Sequence, residues 1–240
     1  MNINAYTSRP SGKAGFRRTA IDAGLRRYML SVYNYMAVGL GLTGLVAAIA
    51  VAGGLYQQIA GTPLIWLVTL APLVAVLFLS FRIERMNFAT AQAIFWVYAG
   101  LMGLSLAGIL LVYTGTSVAR VFFITAGTFA AMSLFGYSTG RDLSRFGSFL
   151  FMGLVGIILA SVVNIFVASS MLHLAISVIG VLVFTGLTAY DTQRIKEIYL
   201  SGRGGTELAK LGLMGALTLY LDFINLFVMI LQLTGDRRER

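Results

Sequence analysis

Seven apolar runs decide what this chain can become: positions 28–53, 62–81, 89–113, 117–139, 146–167, 172–190 and 211–233. Each is close to the roughly 20 residues a helix needs to cross a hydrocarbon layer of about 30 Å. A soluble core has no use for so many runs of that length, and in lipid a helix satisfies its own backbone hydrogen bonds. The expected fold is therefore all-α, a polytopic membrane bundle of seven transmembrane helices. Composition agrees, with 58% hydrophobic and only 11% charged residues among 240. Three regions follow: a polar, basic N-terminal tail over 1–27, the membrane domain over 28–233, and a short charged tail over 234–240. The connections are short, and no internal repeat supports an inverted-repeat transporter.

Basic residues orient such a bundle, because Lys and Arg in short loops stay on the cytoplasmic side. One face carries six of them ahead of the first run, then Arg82 and Arg85, Arg141 and Arg145, and finally Arg194, Lys196, Arg203 and Lys210. That is 14 of the 18 Lys and Arg, so the N-terminus is expected in the cytoplasm. The other face holds Arg120 and the tail residues Arg237, Arg238 and Arg240. Those tail arginines oppose the rule, and a re-entrant last segment would bring them back inside. The length of 211–233 favours seven full spans. Topology accounts for the net charge of +9, so no nucleic-acid partner is expected. No short apolar stretch with a small-residue cleavage site precedes the first run, so a cleaved secretory leader is not expected. A mitochondrial transit peptide is the minor reading of the Arg-rich start.

The costly residue is Asp222. It stands in the string LYLDFINLF inside the last run, where an aspartate near the helix centre costs roughly 2.5 to 3.5 kcal/mol. Gly215, Thr218, Asp222, Asn225 and Gln232 are spaced three, four, three and seven apart, on one helical stripe. A stripe of small and polar residues serves helix packing, or it lines an ion path. The acid tips the reading toward an ion or proton site, since Asn and Gly alone suffice for packing. Most other acids lie in tails or loops. Asp191 differs, because it ends the sixth run in AYDTQRIK, at the cytoplasmic boundary. Asp222 lies about 11 residues, or roughly 16 Å of rise, beyond position 211. The two acids meet only if the sixth helix ends below the membrane surface or the following loop dips in.

Two features carry less than they promise. Gly39-Leu-Gly41-Leu-Thr-Gly44 matches the dinucleotide fingerprint by letter, but it lies inside a span with no strand before it. His173 is the only histidine and there is no cysteine, so neither a metal cluster nor a hydrolase triad is supported. No enzyme and no resident cofactor are expected. Pro72, inside the second run, is expected to kink that helix, as a packing device or as a hinge.

The YD that closes the sixth run, followed by LYLDFINLF in the seventh, resembles the Bax inhibitor-1 (transmembrane Bax inhibitor motif) family, most of all its bacterial branch. The resemblance covers about 26–233. Its specific part is LYLDFINLF; the glycine-rich spans and Asn164 in VNIF are supportive. It implies a seven-helix bundle with the last helix at the centre, surrounded by the other six, and it places the protein in a bacterial inner membrane. It also implies a pH-sensitive calcium leak in which two aspartates form a hydrogen-bonded dyad, here Asp191 and Asp222. An arginine ending the second helix latches to that dyad in bacterial members, and Arg82 in LFLSFRIER takes that place. Some relatives carry a glutamate within the second helix. Positions 63–81 here hold only apolar or small residues apart from Thr69 and Ser80, so no such acid attracts cations in this chain.

The chemistry of such a site is simple. Two carboxyls within hydrogen-bond reach in a low dielectric do not both ionise cheaply, and they titrate as a coupled pair. Asp191 and Asp222 would hold calcium weakly and in passing, helped by Thr218 and the Asn225 carbonyl along the stripe, since a leak needs loose coordination. The partners implied are the lipid bilayer, Ca2+ and H+. A non-conducting regulator of membrane-protein quality control, acting on a membrane protease, is the alternative that the same resemblance implies. An intramembrane aspartyl protease is disfavoured because Asp222 lacks the GxGD surroundings of such enzymes.

Overall fold

A computed structural model describes residues 11–202 and 204–238. Seven of its helices are long and apolar enough to cross a membrane. They are α1 (Ser11–Ala52), α3 (Leu64–Arg82), α4 (Phe88–Val112), α5 (Gly115–Ser138), α6 (Ser144–Val167), α7 (Ser170–Leu200) and α8 (Gly205–Thr234). A six-residue helix, α2 (Leu55–Ala60), follows the first span, and a single 3-10 turn (Ile83–Arg85) follows the third helix. The all-α, seven-span architecture is the one the apolar runs predict.

Local chemistry explains several boundaries. Asn87, Thr114 and Ser169 stand just before α4, α5 and α7, and each side chain accepts a backbone N–H from the first turn. Such caps answer donors that a helix start leaves unpaired. Gly54, at φ 71°, makes the left-handed turn into α2. The turn was not anticipated, because six residues are too few for a span signal. Pro72 is buried within a helix that runs unbroken from Leu64 to Arg82.

Three boundaries differ from the expected ones. α1 begins at Ser11, so 11–27, read as tail, continues the first span as helix. Positions 1–10 of that tail, with Arg9, lie outside the described residues, as do Arg203, Glu239 and Arg240. α7 runs ten residues beyond its expected end at Tyr190. α8 is continuous over 30 residues, about 45 Å, so the last segment is a full span and the re-entrant alternative falls.

α8 is the centre of the bundle. Within its most apolar stretch 61% of residues are buried, against 6% in α6 and 11% in α3. It packs on α1, α4, α5 and α7, whereas α3 packs mainly on α4 and α6 mainly on α7. Of the six helices expected to surround it, those two are therefore outer ones. Lipid supplies little hydrophobic drive between helices, so close packing and polar ties hold them, at about 0.6 kcal/mol per interhelical hydrogen bond on average. Tyr33 Oη and Ser133 Oγ are 2.6 Å apart, and Ser133 Oγ and Thr192 Oγ1 are 2.9 Å apart, which links α1, α5 and α7. Gly136 lies directly on the Ala189 carbonyl, where any Cβ would collide with backbone. Thr43 joins Tyr220 at 2.6 Å, and Ser177 donates to Gln232 Oε1 at 3.0 Å, tying α8 to α1 and α7.

Candidate functional site

Asp191 and Asp222 are brought together, though not by the route the sequence implied. Asp191 lies nine residues before the end of α7, about 13 Å inside the helix. Asp222 lies 17 residues into α8 and 12 from its end, near mid-span. α7 and α8 pack antiparallel, with Gly215 on Ile195 and Gly180 on Met229. That register sets Asp191 and Asp222 about one turn apart in level, so that each carboxyl feels the other. Both are buried, at 9% and 4% exposure. Asp222 Oδ2 has no fixed donor, and only the Asp191 carboxyl is within reach of the Asp222 side chain, a costly condition for a buried carboxyl unless water, a shared proton or a cation visits it.

The pair faces a cavity of about 620 Å³ between α6 and the α7–α8 pair. Ser148 and Phe151 line it from α6, Tyr190 and Arg194 from α7, Thr218 and Asn225 from α8. Gly147 lets α6 close on the Tyr190 ring, which a Cβ there would overlap. Thr218 Oγ1 donates to Met214 O at 3.1 Å and Asn225 Nδ2 to Leu221 O at 2.8 Å. Each spends a donor on its own helix, which leaves the Thr218 oxygen and the Asn225 carbonyl free to accept. Such a lining suits a cation or a hydronium better than an anion. Among the described residues no group of three or more His, Asp or Glu is placed to hold a metal, so any cation meets two carboxylates, a hydroxyl and an amide oxygen.

The predicted stripe divides. Thr218, Asp222 and Asn225 line the cavity. Gly215 packs on Ile195 and Gln232 accepts from Ser177, so those two serve packing. Arg82 is not brought to the pair. It is exposed at the end of α3, outside the cavity lining, and makes no ion pair among the described residues. The latch hydrogen bond to Asp191 is thus absent from this conformation. The guanidinium that acts on Asp191 is that of Arg194, one turn along the same helix. Its signal was present in AYDTQRIK, as an acid followed three residues later by a base on a helix. Reading the helix as ended at Tyr190 hid it.

A seven-span bundle whose central helix and its antiparallel neighbour bring two buried acids to one cavity defines an integral membrane protein with a polar site among its spans. A family model described as "Inhibitor of apoptosis-promoting Bax1" matches residues 25–239. The chain is 50% identical over 224 residues to the protein RP147 of Rickettsia prowazekii, covering 93% of this chain and 95% of that one. It is 47% identical to the inner membrane protein YbhL of Escherichia coli, over 90% of this chain and 94% of the other. A membrane protein of Streptococcus pyogenes serotype M3, SpyM3_0260, shares 35% identity over 90% and 96%. The chain belongs to the Bax inhibitor-1 family.

Proposed function

We propose that the protein is a pH-sensitive calcium (cation) leak of a bacterial inner membrane, gated by the Asp191–Asp222 pair. The observation that carries this reading is the meeting of two buried carboxyls, from different helices, at one cavity that Thr218 and Asn225 also line. Two such groups share a proton while they stay together. Losing that proton leaves two like charges in a poorly solvated site, and they are relieved by separation of α7 from α8 or by entry of a cation. Arg194, at the exposed end of the cavity, is the cation that stabilises Asp191 when it is charged. Calcium is the substrate, passing from carboxylate to hydroxyl and amide oxygen without a closed shell.

Calcium entry into liposomes containing the purified protein alone, followed from pH 5 to 8, tests the reading. Wild type is expected to change flux across this range, where a solvated aspartate near 3.9 would stay ionised throughout. Asp222→Asn and Asp191→Asn keep the side-chain shape, remove one titrating group each, and should flatten the response. A full pH response in both variants defeats the gating pair. No flux from wild type at any pH defeats the leak and favours a non-conducting regulator of membrane-protein quality control.

A further inference from the structure

A second cavity, of about 520 Å³, lies between α1 and α5, away from the acid pair. It is a groove open along the bundle surface, with Met29, Tyr33 and Phe129 as its floor and the exposed Leu30, Ala130 and Leu134 at its rim. The polar atoms of its floor are already paired: Tyr33 Oη bonds Ser133 Oγ, which in turn bonds Thr192 Oγ1. Whatever fills the groove is therefore apolar along its length. One end is cationic. Arg26 stands there, exposed and without an ion pair among the described residues. Tyr137 also lines the groove, and Lys196 donates to the Tyr137 carbonyl at 2.8 Å and lies over its ring, 5.8 Å from the centroid.

We propose that this groove holds one acyl chain of an anionic phospholipid, with the headgroup phosphate against Arg26 in the field of Lys196. Charge and length select the occupant. A phosphate answers an unpaired guanidinium by a forked, charge-assisted hydrogen bond. Basic pockets between membrane helices on the positively biased side bind such headgroups, and Arg26 and Lys196 lie on that side of this chain. From Arg26 to Tyr33 the groove runs about 10 Å along the helix axis, within one leaflet of a hydrocarbon layer roughly 30 Å thick. A second copy or another membrane helix would need a face extending through both leaflets. Ala130 leaves the slot that a larger side chain on α5 would fill. Ser133, which lines the groove, bonds Thr192, next to Asp191, so an occupant lies one hydrogen bond from α7, which carries one acid of the pair. The lipid site itself requires no ion flux.

Native mass spectrometry of the full-length protein in neutral detergent tests it, titrating phosphatidylglycerol against phosphatidylcholine with the same chains. Wild type should retain one phosphatidylglycerol about fivefold more tightly, the worth of one basic side chain near a membrane surface. Arg26→Gln should lose that preference, and Ala130→Trp, which fills the slot, should lose the retained lipid of either kind. Arg85→Gln removes equal charge from the same side and should change nothing. Equal retention of the two lipids by wild type overturns the proposal. So does retained preference in Arg26→Gln, an equal loss in Arg85→Gln, or a bound mass that is a second protein chain.

Discussion

At Asp222 an acid in mid-membrane has no counter-cation bonded to it. Its neighbours are a second acid and a cavity. A site meant only to hold helices together would place a fixed donor opposite Asp222, whereas the group that reaches it is the Asp191 carboxyl, a donor only while the pair holds a proton. The basic residue whose charge reaches Asp191 here is Arg194, while the sequence singles out Arg82. Arg82, at the exposed end of an outer helix, is placed to snorkel toward lipid headgroups. Arg194→Gln should move the midpoint of the flux response to higher pH by about one unit, because no nearby cation then opposes protonation of the carboxyl it faces. Arg82→Ala should leave both flux and midpoint unchanged. Liposome flux curves at equal protein incorporation decide between the two arginines.

α7 owes its extra ten residues to polar partners that no apolar run announces. Gln193 is buried and works at both ends of its amide, accepting from Leu143 N at 2.8 Å and donating to Arg141 O at 2.8 Å. Lys196 donates to Tyr137 O. These ties carry α7 past Asp191 and fix the α5–α6 connection to it. Gln193→Ala should cost about 1–3 kcal/mol by orphaning a buried backbone N–H, read as a lower unfolding temperature in detergent. The same connection has its own acid sensitivity. Ser144 donates its backbone N–H at 2.8 Å to Asp142 Oδ1, and its hydroxyl and N–H together hold that exposed carboxyl below its ordinary range. A depressed carboxyl contributes stability above its unfolded value and loses it as the pH falls through the folded one. The loss therefore begins below the ordinary 3.8, under the range expected for flux. The unfolding temperature of Asp142→Asn should fall less than that of wild type on acidification below pH 3.8, while its flux response between about pH 5 and 8 stays intact. At the other end of the bundle the tail behind α8 is clamped to the α4–α5 connection. Asp236 pairs with Arg120 at 3.0 Å, and Arg238 donates to Tyr113 O and, through its backbone, to Val112 O. Two of the arginines that oppose the charge rule thus have structural partners on that side.

Across the whole molecule, α8 is fixed to the α4–α5 connection at one end and meets Asp191 near mid-span. α6, the least buried helix, covers the cavity from outside. Access to the cavity is therefore barred only by a lightly held outer helix, whereas parting Asp191 from Asp222 would separate two closely packed helices of the core. Seven spans put the α2–α3 connection and the α5–α6 connection on opposite faces. Gly61 and Gly140 mark them, and a Cβ at either meets nothing within 4 Å. In right-side-out vesicles an impermeant thiol reagent should label Gly61→Cys and spare Gly140→Cys until the membrane is permeabilised. The reverse pattern would invert the orientation drawn from the basic residues.

The sequence by itself determined the class of fold, the number of spans, and Asp222 as the acid set at depth, while its pairing with Asp191 was only allowed by spacing. The first three follow from costs that lipid imposes locally, on unpaired backbone and on charge at depth. The resemblance carried by LYLDFINLF added the central place of the last helix, which its polar stripe on Thr218, Asp222 and Asn225 only allowed. What tertiary structure alone decided is how those parts meet. The end of α7, the choice of Arg194 over Arg82, and the division of the stripe between cavity and packing all depend on partners distant in sequence. Gln193 reaches back 50 residues to Leu143, and Asp222 finds Asp191 through an antiparallel register set by Gly215 on Ile195. Hydropathy averages over neighbours along the chain, so a helix held by long-range hydrogen bonds leaves no mark in it.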